Sequence, residues 1–304
     1  MIRYVTEFLK EFEFDTSDRI DIAIAYERIA SDPAAARALS ALVLGYEKDN
    51  GFITDDSYAL VAEMAEASGV HPYTAELVAH ICLTRIMRER LLKLGFSKKN
   101  VAFTLLDYKI KTGECKRLYK VVGIYNWQWY TRFYGLRILG VGRLQFEVRE
   151  FLIGTYKKGD RVIEKHDSVL SVHIPRTGTP LDARACQRSY AEAKEIFCKL
   201  LGRENIPFYC SSWLLYHKNR DFLDEKSNIV KFMNNYEILK YDQYTEGNNG
   251  LYKFLYEVPD NTPIEELPTD TSLRASYAAH MANGGDTGYG TGIFFLEENK
   301  KTAI

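Results

Sequence analysis

The residues best suited by type and spacing to chemistry lie between His166 and Gly202. Alternating residues Asp167-Ser168-Val169-Leu170-Ser171-Val172-His173-Ile174 reach Pro175, continue through Arg176-Thr177-Gly178-Thr179-Pro180, and enter a helical pattern near Leu181. The pattern reads as strand, tight loop and helix. Such a junction directs backbone N–H groups and the positive end of a helix dipole at one place, where a phosphate binds with least additional machinery. Other chemistries find less support. The five cysteines, Cys82, Cys115, Cys186, Cys198 and Cys210, are odd in number and form no C-x-x-C pair, which argues against a disulfide framework and a zinc knuckle. Cys82 and Cys198 fall within helical patterns and read as inert thiols. Cys210 has no neighbouring histidine to serve as its base. The six histidines are scattered without an H-x-x-x-H pair, so no metal is expected.

The elements that must position this stretch fall into two groups, and 304 residues leave room for two domains. Residues 1–95 read as helices: Ile2, Val5, Phe8, Leu9 and Phe12 recur at helical spacing, and Asp15-Thr16-Ser17-Asp18 offers capping oxygens to the next segment. Alanine-rich runs follow over 33–48 and 56–68, and Leu77, Val78, Ile81 and Cys82 share one face of a run that Gly95 ends. Thr104-Leu105-Leu106-Asp107 has capping-box spacing, which predicts a helix over about 105–122. The aromatic run Tyr125–Tyr130 with Phe133 and Tyr134 either seals the helical domain or walls a substrate pocket at the domain junction. The expected division is a helical domain at 1–124 and a second domain at 125–304.

From Arg137 the period changes to two. Leu144, Phe146 and Val148 face one way and Gln145, Glu147 and Arg149 the other, which predicts a half-buried strand running toward Ile153. A turn at 157–160 leads to a short strand at 161–164 and then to the opening stretch. Its helix places Ser189, Ala193, Ile196, Phe197 and Leu200 on one stripe and ends at Gly202. Residues 207–215 read as a central strand covered on both faces. A short helix opened by Ser227-Asn228, a strand at 236–239, a turn at Gly247–Gly250 into a strand at Leu251–Tyr256, and a helix at Ser272–Met281 follow. Gly288-Tyr289-Gly290-Thr291-Gly292 precedes a final strand at Ile293–Leu296, so a Rossmann or P-loop reading fails on context, leaving a lid or close backbone packing. The whole is an α+β chain, an N-terminal α-helical domain followed by a mixed β-sheet domain with flanking helices.

Composition excludes further classes. A net charge of −1 offers no ground for a nucleic-acid partner or an anionic membrane surface. No apolar run approaches the ~20 residues that span a bilayer, and no N-terminal stretch resembles a signal peptide, so a cytoplasmic location is the default expectation. The oligomeric state stays open.

The order of elements, with a phosphate-type loop between strand and long helix, resembles the GNAT acyltransferase superfamily. The words Gly142-Arg143-Leu144-Gln145-Phe146-Glu147, Val172-His173-Ile174-Pro175, Ser211-Ser212-Trp213-Leu214-Leu215 and Ser227-Asn228-Ile229 resemble a bacterial group that pairs a helical acyltransferase-associated domain with a GNAT-like C-terminal domain. The resemblance implies acetyl-CoA or another acyl-CoA as donor and an amine of a small molecule or peptide as acceptor. It implies that the pantetheine arm pairs with backbone at Val172–Ile174, that Arg176, Thr177, Gly178 and Thr179 bind the pyrophosphate, and that Asn228 contacts the cofactor arm. The loop departs from the usual pattern, since Pro180 removes a donor amide.

Acyl transfer to an amine needs a base, oxyanion donors and an acid for the leaving thiolate. Glu147, facing away from the apolar side of its strand, is the first candidate base, and His173 the second. Against these stand an ordinary strand carboxylate paired with an arginine and a structural histidine. The tyrosine that many GNAT enzymes use as acid is replaced by Phe232, leaving Tyr209, Tyr216 and Tyr289 as substitutes. The altered loop and the missing tyrosine support the alternative of a non-catalytic ligand- or CoA-binding protein of the same fold.

Overall fold

The computed structural model describes residues 1–296 apart from Glu246 and Asn248. The chain divides into two compact units, Met1–Gly140 and Val141–Ile304.

The first unit is built from α1 (Ile2–Glu11), α2 (Thr16–Ser31), α3 (Pro33–Lys48), α4 (Tyr58–Ser68), α5 (Pro72–Lys93), α6 (Lys98–Tyr119) and α7 (Trp127–Tyr134). Local sequence sets their starts. The Asp32 carboxylate accepts from the amides of Ala34 and Ala35 while Pro33 occupies the first helical position, a combination that satisfies orphan amides and pre-sets the backbone. Helix α5 is buried nearly all round, polar Glu76, His80 and Thr84 included. Helix α6 begins earlier than the capping-box spacing predicts, because Ser97 Oγ accepts from the Asn100 amide and caps it. Thr104 lies inside the helix, where its hydroxyl donates to Asn100 O and accepts from the Gly140 amide. The aromatic run forms α7, and Tyr130, Phe133 and Tyr134 are buried in this unit's own interior, Tyr130 stacked on Tyr108 at 4.5 Å between centroids. These rings belong to the first unit, which runs to Gly140.

The second unit follows the order β1 (Ile138–Val141), β2 (Leu144–Glu150), β3 (Tyr156–Lys158), β4 (Arg161–Ile163), β5 (Ser168–His173), α8 (Ala183–Leu201) and β6 (Phe208–Ser212). After β6 come a 3-10 turn at Trp213–Leu215, α9 (Asn219–Phe222), α10 (Asn228–Met233), β7 (Glu237–Gln243), a π-helical turn at Tyr252–Tyr256, α11 (Ser272–Ala282) and β8 (Gly288–Phe294). Strand β1 runs across the division of the units. The main sheet has six strands in the order β1-β2-β5-β6-β8-β7, and β3 and β4 form a separate hairpin. Strand β2 pairs antiparallel with β5, β5 parallel with β6, and β8 antiparallel with both β6 and β7.

The sheet is apolar on one face, where Tyr190 and Phe197 of α8 pack against Phe146, Phe208 and Phe294. The other face is divided. The β3–β4 hairpin brings Tyr156 and Ile163 onto Val169 and Ile293, and the rest of that face is polar.

Two readings of the sequence are corrected. Residues Leu251–Tyr256 form a π-helical turn instead of a strand. Leu251, Tyr252, Leu255 and Tyr256 are the buried positions, a four-residue recurrence that an alternating pattern mimics over so short a segment. Of the turn expected before it, Asn248 lies outside the described residues. The glycine run belongs to strand β8 instead of preceding it. A Cβ at Gly288, Gly290 or Gly292 would meet Tyr216, the Leu215 backbone or Tyr236, so these positions take glycine because neighbouring backbone and rings lie against the strand.

Candidate active site

The polar part of the sheet lies at the C-terminal ends of β5 and β6. Cross-strand register sets Gln145 opposite His173 and Glu147 opposite Ser171 on adjacent strands. The period of two places all four side chains on the face away from α8. Ser211 and Thr291 continue the row, joined by a hydroxyl hydrogen bond of 3.0 Å. Glu147 is buried, and its Oε2 lies 2.9 Å from His173 Nε2. The two candidate bases are thus one unit. The side chain of His173 is 22% exposed and that of Glu147 6%, so the imidazole is the member that meets the surroundings.

Beside this pair the sheet opens. The parallel ladder between β5 and β6 consists of Leu170↔Phe208 and Ser171↔Tyr209. Beyond it, Val172, His173 and Ile174 have no register partner among Cys210, Ser211 and Ser212. A strand that runs on past the end of its ladder suits an extended partner bearing amides. The opening lies in the middle of the sheet, at the carboxyl ends of two parallel strands, where ligands of α/β proteins characteristically sit.

The loop after β5 is arranged differently from its sequence expectation. The Asp182 carboxylate caps α8 by accepting from the Arg184 and Ala185 amides at 3.1 and 3.2 Å, so the second and third helical amides are already engaged. The available donors lie in the loop: the N–H groups of Arg176, Gly178 and Leu181 have no acceptor among the described residues. Thr177 and Thr179 share a hydroxyl hydrogen bond of 2.7 Å. The Arg176 guanidinium points to other work, donating to Leu255 O at 2.9 Å and pairing with Glu257. Asn228 is exposed at the first position of α10, which Ser227 caps.

Arg143 makes contacts that sequence reasoning did not single out. It sits in the tight β1–β2 turn, after Gly142 at φ +62°, and its amide donates to Ser189 Oγ of α8 at 2.7 Å. The guanidinium donates to Pro175 O at 2.9 Å, Thr179 O at 3.0 Å and Pro180 O at 3.2 Å. Burial lowers its pKa from the usual arginine value. Its acceptors are backbone carbonyls 32 to 37 residues away, and no local pattern announces such a target.

Of the three substitute tyrosines, Tyr216 donates to Asp286 at 3.0 Å, and Tyr289 has its hydroxyl pKa raised chiefly by Asp242. Tyr209 shares the polar face and is in register with Ser171. Burial raises its hydroxyl pKa, which keeps it protonated near neutrality. Cys82, Cys115 and Cys210 are pushed up to about 12 by burial and Cys186 to about 11, so these thiols stay unionised. Among the described residues no group of three His, Cys, Asp or Glu side chains is placed to hold a metal.

A mixed sheet whose central parallel pair opens beside a polar dyad, followed by a loop and a long covering helix, is the architecture of a GNAT-type acyltransferase. Residues 138–294 match the family model of the GNAT-like C-terminal domain, and residues 4–136 that of the N-acyltransferase N-terminal domain. The chain belongs to this acyltransferase family. No curated protein matches the sequence. Among solved structures, an acyltransferase in complex with decanoyl-CoA and teicoplanin superposes with a TM-score of 0.74 at 21% identity, covering 96% of this chain and 87% of that one. An acyltransferase in complex with decanoyl-CoA gives 0.72 at 18% identity, and one in complex with CoA and 10C-teicoplanin 0.73 at 20%, with the same coverage. These likenesses show a shared fold. No helix among the described residues is long and apolar enough to cross a membrane.

Proposed function

We propose that the protein transfers the acyl group of an acyl-CoA to an amine of a small molecule or peptide. One observation carries the reading: the β5–β6 ladder ends at Ser171↔Tyr209, and Val172–Ile174 run on beyond it next to the Glu147–His173 pair. A pantetheine arm is extended and bears two amides, so it suits that stretch as an added strand does. Its thioester then comes to lie by His173, with the pyrophosphate at Thr177, Gly178 and Thr179 and Asn228 toward the arm.

In this reading His173 Nε2–H donates to the Glu147 carboxylate, which leaves Nδ1 as the basic nitrogen. The acceptor amine attacks the thioester carbonyl, and its proton passes to Nδ1. The C–N bond forms, the tetrahedral intermediate collapses, and the C–S bond breaks to release the thiolate. Tyr209 is the candidate to return a proton to sulfur, being on the same face and protonated. The geometry thus favours His173 as the base and Glu147 as the group that orients it, in place of Glu147 as direct base.

The acyl chain and the acceptor are tested together. The solved relatives carry decanoyl-CoA or CoA, two of them with teicoplanin or its 10C form, so the donor panel extends from acetyl- through octanoyl- to decanoyl-CoA. Free-thiol release that needs both an acyl-CoA and an amine is the expected result. Absence of thermal stabilisation by every acyl-CoA at saturation would remove the reading.

A further inference from the structure

The geometry points to Arg143 as the positioning residue of the pyrophosphate loop, supplying both its orientation and its uncompensated positive charge. The inference rests on the acyl-CoA reading above and adds to it the residue that makes the loop competent.

The orientation follows from peptide geometry. A trans peptide unit sets its C=O and N–H antiparallel, and no cis bond occurs in the described chain. The guanidinium grips the carbonyls of Pro175 and Pro180. The partners of those carbonyls across the peptide plane are the N–H groups of Arg176 and Leu181, which are therefore turned away from Arg143. Both are loop amides without an acceptor among the described residues. The third carbonyl, of Thr179, precedes Pro180 and has no N–H behind it. Arg143 thus collects the acceptors of the loop on one side and leaves donors on the other, the polarity an anion requires.

The charge follows from comparing the two arginines of this region. Arg176 is neutralised by Glu257, whose carboxylate also lies 3.7 Å from Arg274. Arg143 makes no ion pair among the described residues, and its acceptors are neutral carbonyls. Burial lowers the pKa of Arg143, yet an arginine side chain stays cationic in a protein. The loop therefore carries its net positive charge from behind, through a residue that need not touch the ligand. Anchoring is firm, because the Arg143 amide is held by Ser189 Oγ, which in turn donates to Ala185 O within α8. This arrangement offsets the two departures of the loop from its usual form, the donor lost at Pro180 and the helix terminus engaged by Asp182.

The test compares two donors carrying the same acyl chain, acyl-CoA and acyl-pantetheine, which lacks the phosphates. For Arg143→Gln the expected result is a KM for acyl-CoA raised about tenfold or more, with kcat within about threefold and KM for acyl-pantetheine unchanged. Arg176→Gln is expected to move KM for acyl-CoA by less than about threefold. Arg143→Lys keeps the charge and much of the volume, guarding against a misfolded glutamine variant, and is expected to show a smaller rise confined to acyl-CoA. An unchanged KM for acyl-CoA in both Arg143 variants, a parallel loss with both donors, or a larger effect from Arg176→Gln overturns the assignment. Failure of the wild-type protein to bind any acyl-CoA overturns the acyl-CoA reading itself, and that outcome is seen before any variant is made.

Discussion

Two of the molecule's glutamate–histidine pairs are opposites. Glu76 and His80 lie one turn apart on α5, 3.4 Å from each other, with side-chain exposures of 2% and 0%. Glu147 and His173 meet across two strands at 2.9 Å where the sheet opens. Burial pushes the Glu76 carboxyl up to about 8 and His80 well below the ordinary histidine value. Near neutrality the first pair is therefore a protonated carboxyl beside a neutral imidazole. Its other ring nitrogen is bound to the Tyr134 hydroxyl at 2.6 Å, and Tyr108 donates to that same oxygen at 3.2 Å. Every group of the first pair is occupied by the interior, whereas the second stands where a strand leaves its ladder. The difference shows that the same two residue types can be sealed in a core or stand at the end of a ladder, and the proposed role of the second pair rests on that position.

The largest expected effect separates the pairs by activity. Glu147→Gln and His173→Ala should each lower kcat by about 10² to 10⁴, while Glu76→Gln should stay within about threefold, read by thiol release. Equal losses from Glu76→Gln and Glu147→Gln would erase the distinction.

A second effect separates them by pH. The folded-state pKa of Glu76 is raised above its unfolded value, so its contribution is most favourable below about 4.5 and is lost as pH rises toward about 8. His80 has the opposite sign: its depressed pKa costs stability as pH falls below about 6.5. The two oppose each other in acid, which places a clean test above pH 6.5. From pH 6.5 to 8, Glu76 should reduce unfolding free energy by about 2 kcal/mol. Urea titrations should show that slope in the wild-type protein and its absence in Glu76→Gln. A slope that persists in the variant would assign it to other groups.

The smallest effect probes the hydroxyl that satisfies the buried imidazole. Tyr134→Phe removes a partner of both His80 and Tyr108 and should cost about 1 to 3 kcal/mol of stability with kcat unchanged. A fall in kcat larger than the loss of folded protein would tie the sealed pair to catalysis and end the contrast.

Much of the frame is legible in the chain itself. Helix α8 was expected from near Leu181 to Gly202 and runs from Ala183 to Leu201, because Asp182 caps its start and Gly202 closes it at φ +63°. Strands β2 and β5 follow their period-two patterns, and the face that makes Glu147 and His173 candidates is read from the same alternation. Less was legible where a segment fits two periods, as at Leu251–Tyr256, or where a local motif competes with a stronger one, as Thr104 does with Ser97. The partners of the loop were not legible at all. Asp182 at the helix terminus, Glu257 on Arg176 and Arg143 on three carbonyls each turn on how a side chain is aimed, and two of the three span tens of residues.

The sequence by itself determined most of the order of elements, the covering helix and which side chains share the polar strand face, since alternation and capping are local consequences of backbone geometry. Only the tertiary structure decided that Glu147 and His173 are one pair, that the ladder ends after Ser171 and that Arg143 stands behind the loop. Strand register and the aim of a guanidinium depend on contacts between distant segments, and those exist only once the sheet has formed.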